Sequence, residues 1–329
     1  MSGEIWLRFD VRGGGKAVSS AALMGAAIDQ AAWADRHGLN AIQVTEHHGT
    51  DDGYLPSPIV LAAALATKTQ RIRIHLGALI LPLHDPLHVA EDVCVLDNIS
   101  NGRVDVTVGI GYVPSEFHMF AADIKRRGSL AEEGIAALRG AFSADAFLFR
   151  GRTVRVSPAP VQPGGPEILV AGAVKASALR AARLGDGIFP TIATTELLDL
   201  YRSECARLGR SVGRIVDMTG PLTIHVSTDP DRDWARVGPH FLHEVNAYGK
   251  WAEETGTPTP FQSLRDVAAL RASGLYQVLT PAECIDFISA QHAANRYVSI
   301  SPLCGGLHPD IAWESLELLG KEVLPMLAR

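Results

Sequence analysis

Thr45-Glu46-His47-His48-Gly49 puts two imidazoles directly after a carboxylate, and no other pentapeptide of this 329-residue chain carries as much chemistry. An imidazole with a near-neutral pKa takes or gives a proton at physiological pH, so the pair points to general acid–base work. Consecutive side chains on an extended backbone point opposite ways, so one histidine can face a ligand while the other packs beneath the loop. The plainer alternative is a pair of buried structural histidines held by a carboxylate such as Glu46. A metal reading is weaker, because adjacent ligands rarely converge and no H-x-x-x-H or aspartate cluster completes a set. No metal is expected.

Three further groups have chemical potential. Gly109-Ile110-Gly111 would let a ligand approach the backbone, although glycines also simply permit tight turns. It is not a dinucleotide fingerprint, because G-x-G-x-x-G is incomplete. Ala171-Gly172-Ala173-Val174-Lys175-Ala176-Ser177 opens a helix, where free N–H groups and the helix dipole favour a phosphate. Lys175 and Ser177 would add a charge and a hydroxyl; an ordinary helix start is the competing reading. His240, His243 and Glu244 share one helical stretch as a metal face or, more simply, a half-exposed polar face. Gly13-Gly14-Gly15-Lys16 lacks P-loop spacing and reads as a flexible loop.

These groups need elements to position them. Strands are expected at residues 5–9, 41–45, 72–81, 104–108, 168–171, 187–189, within 215–227, and at 297–301, each alternating with a helical pattern. The dense β-branched runs suit buried parallel strands. Ser19 or Ser20 starts the first helix and Gly38 ends it, while Ser57-Pro58 and Asp85-Pro86 repeat one start signal. Gly102 closes the third helix and Pro325 stops the last, over 311–324. The stretch 150–165, with its prolines and glycines, reads as a hairpin or loop inserted after the fourth helix. Residues 231–281 exceed one crossover helix and predict a second insertion around the seventh strand and helix. The fold class is therefore α/β, a (β/α)8 TIM barrel in one domain spanning 1–329. Its active site lies where the C-terminal strand ends open, which is where the stretches 41–49, 71–86 and 102–112 bring their histidines and glycines.

Composition narrows the class. A 47% hydrophobic chain of this length buries a large core. The net charge of −6 comes with interspersed signs and no basic block, so no nucleic-acid partner is expected. Cys94, Cys205, Cys284 and Cys304 form no C-x-x-C pair, which predicts reduced thiols. The N-terminal MSGEIWLRFD has no signal-peptide pattern, and no apolar run reaches the roughly 20 residues of a membrane span. A cytoplasmic enzyme without a membrane partner is the expectation.

Taken together, TEHHG with Ser57-Pro58, the run LPLHDPLHVAEDVCVLDNISNGRVDV at 81–106 and GYVPSEF at 111–117 resemble the bacterial luciferase-like flavin-dependent oxidoreductases. AARLGDGIFP at 181–190 and TPAECIDFI at 280–288 extend the resemblance into the second half of the chain. It implies reduced FMN as cofactor, supplied by a separate flavin reductase, dioxygen as co-substrate, a small organic substrate and a homodimer. The alternatives are a dehydrogenase or reductase using the deazaflavin coenzyme F420, and a non-catalytic flavin-binding barrel. By position, His47 matches the family's catalytic histidine, with Glu46 and His48 beside it. Gly77-Ala78 matches a non-proline cis peptide that supports the flavin ring. Gly109, Gly111 and Tyr112 would border the ring or the phosphoribityl chain, and Ala173, Val174, Lys175 and Ser177 would form the phosphate turn. Two departures stand out. Ile110 replaces an arginine that many relatives use for the phosphate, which shifts that charge to Lys175, and Leu279 replaces the glycine of a late G-T-P motif.

Overall fold

The computed structural model describes residues 4–13 and 18–327; most of the Gly13–Lys16 loop therefore lies outside the described residues. The described residues form strands β1 (Ile5–Phe9), β2 (Ala41–Val44), β3 (Arg73–Ile80), β4 (Val104–Gly109), β5 (Phe147–Phe149) and β6 (Arg152–Val154). These are followed by β7 (Glu167–Ala171), β8 (Gly187–Phe189), β9 (Arg214–Ile215), β10 (Thr223–Val226), β11 (Tyr276–Leu279) and β12 (Val298–Ile300). The chain divides into two compact units. One comprises Met1–Gln43, Thr50–Leu55 and Asp217–Arg329, the other Val44–Gly49 and Pro56–Val216.

In the first unit the strand order is β12-β1-β2, with β1 parallel to β12 and Ile5 opposite Val298. A second parallel pair joins β10 to β11, with Thr223 opposite Tyr276. The long helix Pro230–Thr255 starts with Asp229 accepting from Arg232 N and Pro230 in the first turn. Its Trp234, Val237, Phe241 and Val245 recur every three or four residues and pack on Leu270, Tyr276 and Val278. Burying each such side chain contributes on the order of 1.5–3 kcal/mol.

The second unit carries the parallel order β3-β4-β7-β8-β9. All six residues of β4 are buried, so the β-branched run is covered on both faces, as the sequence requires of a central parallel strand. Asp85 accepts from Leu87 N and His88 N at the start of Pro86–Ser100, the start that Asp85-Pro86 predicts. Residues 147–154 form an antiparallel hairpin, β5 with β6, turned by Arg150 and Gly151, both at positive φ. Cys94, Cys205, Cys284 and Cys304 are all buried free thiols.

Four sequence expectations need adjusting. The stretch 215–227 holds two strands, β9 and β10, that pair with different partners. Tyr276–Leu279 is an additional strand within the segment read as an insertion. The helix before β4 ends one residue earlier than expected, on Asn101 in the left-handed region, with Gly102 following at φ 79°. Pro325 does not stop the last helix. A wide π-turn at Leu319–Val323 precedes it, and the helix continues through Leu324–Leu327. A wider turn there relieves the clash a proline ring makes with the carbonyl one turn back.

Candidate active site

The residues after β2 turn their polar groups inward. Thr45, Glu46, His47 and His48 are all buried, and such groups need partners. His47 Nδ1–H donates to Glu116 Oε1 at 2.8 Å, and the His48 backbone N–H donates to the same oxygen at 2.8 Å. Glu116 sits in the first turn of the short helix Pro114–Met119, which Pro114 opens. With Nδ1 committed to a carboxylate, the tautomer is set and proton exchange falls to Nε2. The edge of the His47 ring meets the Tyr112 ring, with centroids 5.8 Å apart and planes at 85°. Glu116 Oε2 is buried and has no hydrogen-bond partner.

Glu46 organises the other half of the pair. Its Oε1 accepts from His48 Nε2 at 2.8 Å and from His84 Nε2 at 2.5 Å, and its Oε2 accepts from Ile80 N at 2.6 Å. Burial pushes the Glu46 carboxyl up, but the hydrogen bonds from His48, His84 and Ile80 outweigh it and hold it at about 2. Burial lowers the His84 pKa, while the hydrogen bond and charge of Glu46 raise it; the net direction is up. Glu46, His48 and His84 bring three ligand-type atoms within 4.8 Å of one another. The 2.5 and 2.8 Å separations are hydrogen-bond lengths, shorter than the ~3.3 Å between two ligands on one tetrahedral ion. A hydrogen-bonded triad accounts for them. Phe120 closes one side, its ring 4.7 Å from that of His48.

The strand ends nearby fit closely. The Gly77–Ala78 peptide of β3 is cis, and the β3–β4 register shifts between Gly77 and Leu79. A Cβ on Gly109 would lie 3.1 Å from Ala78 Cβ. Gly111 has φ +70°, and a Cβ there would stand 2.8 Å from both Ile80 and Phe117. Only glycine satisfies that backbone and that space.

Further predicted residues lie at the start of one other helix and along a second. The helix Lys175–Leu184 starts where the sequence places it, with Val174 and Lys175 exposed and Ser177 buried. The Ser177 hydroxyl donates to Val174 O at 2.6 Å and accepts from Val174 N at 3.2 Å, so it is engaged at its own helix end. The trio of Pro230–Thr255 does not converge on one ligand: each of the three residues has partners of its own. His243 Nε2 bonds Asp52 at 2.8 Å, His240 Nδ1 bonds Gly305 O at 2.9 Å, and Glu244 is fully buried on Arg8 at 2.5 Å and on Cys304. Sequence reasoning missed Glu116 and His84 as site residues. Both lie in the runs that carry the family resemblance; an acid two residues after a helix-opening proline was the available signal for Glu116.

The profile of the luciferase-like monooxygenases matches residues 3–292. The 4-hydroxyprotoasukamycin monooxygenase of Streptomyces nodosus subsp. asukaensis is 28% identical over 251 residues, covering 70% of this chain and 66% of the relative. The alkanal monooxygenase alpha chain of Photorhabdus luminescens is 26% identical over 323 residues, 88% of each chain. The chain spans about half the length (51%) of uncharacterized protein y4vJ of Sinorhizobium fredii, which is 29% identical over 178 residues, 53% of this chain. Among solved structures, monooxygenase RslO1 from Streptomyces bottropensis superposes with a TM-score of 0.72 at 25% identity, covering 98% of this chain and 99% of that one. The oxygenating constituent of the Pseudomonas putida 3,6-diketocamphane monooxygenase, solved in complex with FMN, has a TM-score of 0.74 at 18% identity with 99% coverage of both chains, a likeness of fold. With the match running over nearly its whole length, this chain belongs to the luciferase-like monooxygenase family.

Proposed function

We propose that this protein is a flavin-dependent monooxygenase that uses reduced FMN and dioxygen on a small organic substrate, with His47 as its proton-transfer residue. The observation that carries the reading is the buried His47–Glu116 pair, an imidazole oriented through Nδ1 by a carboxylate that keeps one oxygen unpaired. An acceptor of that kind, beside a His47 ring that Tyr112 packs against, fits a ring that offers N–H groups. Glu46, His48, Gly77, Ala78, Gly109, Gly111 and Tyr112 would border the ring. Ala173, Val174, Lys175 and Ser177 would form the phosphate turn, with Lys175 supplying the charge because the Ser177 hydroxyl and the Val174 N–H are engaged on each other. The reduced flavin, when bound, supplies the electrons for the reaction with dioxygen.

The chain's own residues bind, orient and exclude water. Glu46 holds the His48 ring and the Ile80 amide, fixing the end of β3 where the ring would rest. His47 takes or gives one proton at Nε2 while Glu116 steadies the charge that forms on the imidazole. A separate reductase supplies the reduced cofactor, and the working form is a homodimer. Anaerobic titration with reduced FMN and with deazaflavin tests the reading. Saturable binding of reduced FMN, followed by oxygen uptake matched to substrate loss, is expected. Preferential deazaflavin binding without oxygen uptake moves the assignment to a dehydrogenase, and binding without turnover moves it to a flavin carrier.

A further inference from the structure

We propose that Arg12 is the receptor for a carboxylate, which makes the substrate of this enzyme an organic acid. The carboxylate site stands on its own, and only the bound molecule's role as substrate rests on the monooxygenase reading. Arg12 follows the C-terminal end of β1, the end at which parallel α/β sheets take up ligands. Its side chain is fully buried, with Nε 3.1 Å from Asp52 Oδ2 and 4.0 Å from Asp10 Oδ2. Among the described residues neither Nη1 nor Nη2 has a hydrogen-bond partner. Most of a guanidinium's N–H donors sit on those two nitrogens. Buried donors on a charged group are costly to leave unpaired, so their acceptor is to be sought outside the chain.

The surroundings hold this fork without meeting it. Tyr54, Tyr248 and Trp251 turn their ring faces to Arg12 Cζ, with centroids at 4.7, 5.1 and 5.7 Å. Ring faces steady a cation but leave the in-plane edge of the guanidinium open to an acceptor. Of the three rings only Trp251 belongs to a residue that is not buried, which marks the side of entry. Asp52 is shared, since its Oδ2 also bonds His243 Nε2 at 2.8 Å, and its Oδ1 has no hydrogen-bond partner among the described residues. The pair is therefore not the two-point fork that arginine makes with a carboxylate. Glu244 is engaged by Arg8 at 2.5 Å. Burial and the charge of Glu244 push the Asp10 carboxyl up, which weakens it as a counter-charge. The backbone is bent to aim Arg12 here: Val11 stands at φ 42°, a region that β-branched residues avoid. Asp10 Oδ1 accepts from Arg12 N at 3.3 Å, while Leu55 N donates to Asp10 O at 2.9 Å and Gly13 N to Asp52 O at 2.6 Å. Strain braced in this way gathers at ligand sites. A planar carboxylate brings two in-plane oxygens and a charge to Nη1 and Nη2; a neutral carbonyl brings one oxygen and no charge.

Acetate and benzoate, with acetamide and benzamide as neutral counterparts, test the site in the intact protein against sodium chloride of equal ionic strength. Binding is read from the melting temperature and from the proton–nitrogen resonances of the Arg12 guanidinium. Both carboxylates are expected to raise the melting temperature and shift the Arg12 resonances, and the amides to do neither. Arg12→Lys keeps the charge but loses the fork, and Arg12→Gln loses both; each is expected to weaken carboxylate binding by about tenfold or more. Equal effects of carboxylates and amides, no effect beyond that of sodium chloride, or unweakened binding by Arg12→Lys overturns the site. Should the variants fail to fold, the carboxylate-specific shift of the Arg12 resonances in the unaltered protein decides alone. Carboxylate binding by a protein that takes up no reduced FMN leaves the site standing and removes the monooxygenase reading. Uptake of reduced FMN without carboxylate binding does the reverse.

Discussion

His47 and Glu116 are hydrogen-bonded across 69 residues of sequence. The place of His47 directly after a strand was legible in the sequence. Its carboxylate partner was not, since sequence separation hides which acid reaches which ring. The same holds for Glu46, whose three donors come from His48, Ile80 and His84. His47→Ala is expected to lower turnover by about 100-fold or more while leaving folding and flavin affinity near those of the unaltered protein. Steady-state kinetics beside a flavin titration checks this, and unaltered turnover would remove His47 from the chemistry.

At the scale of elements, chemistry at the helix starts was the most readable feature. Ser19, Asp85 and Thr280 each accept from backbone N–H groups where the sequence placed a start or a motif. Strand β11 was hidden because four residues, Tyr276–Leu279, give too short an alternation to separate from helix. Pairing between elements was hidden too. Arg8 of β1 donates to the fully buried Glu244 of Pro230–Thr255 at 2.5 Å and to Tyr248 Oη at 2.9 Å. Glu244 is held below the usual carboxylate range despite burial, chiefly by the Arg8 charge. Removing one partner strands the other charge, so Arg8→Met is expected to cost about 3–5 kcal/mol. The double variant Arg8→Met/Glu244→Met should lose less than the single one. Urea unfolding of Arg8→Met, Glu244→Met and the double variant measures this; a double variant as unstable as the sum of its singles would show that the pair does not act as a unit.

For the whole molecule, length, composition and βα alternation made the α/β class readable, whereas the division into two compact units left no trace in composition. Two buried histidines, one in each unit, set the response to acid. Burial holds both His75 and His225 at about 4, below the ordinary 6.5. A histidine depressed in the folded state contributes stability that is complete above pH 6.5 and is lost as pH falls toward 4, because the unfolded chain takes up protons first. Each contributes on the order of 2–3 kcal/mol over that window. His84, whose pKa is raised, works the other way, and its contribution fades above pH 6.5. The melting temperature is therefore expected to fall by roughly 5–10 °C between pH 7 and pH 4.5, a loss steeper than any on the alkaline side up to pH 8. A flat profile below pH 6.5 would contradict the assignment of both histidines.

The four buried thiols give the molecule a built-in clock. Burial raises the pKa of Cys94 to about 11 and of Cys284 to about 12, so neither is nucleophilic while enclosed. Cys94 and Cys205 belong to one compact unit, Cys284 and Cys304 to the other. A thiol-specific mass tag should therefore leave the native protein unmarked over minutes and add its label only through transient openings. If each unit opens cooperatively, peptide mapping should find the tags arriving in pairs, Cys94 with Cys205 and Cys284 with Cys304. Independent labelling of all four would mean that protection is local to each thiol. Such pairing would turn an oxidisable side chain into a unit-by-unit record of breathing.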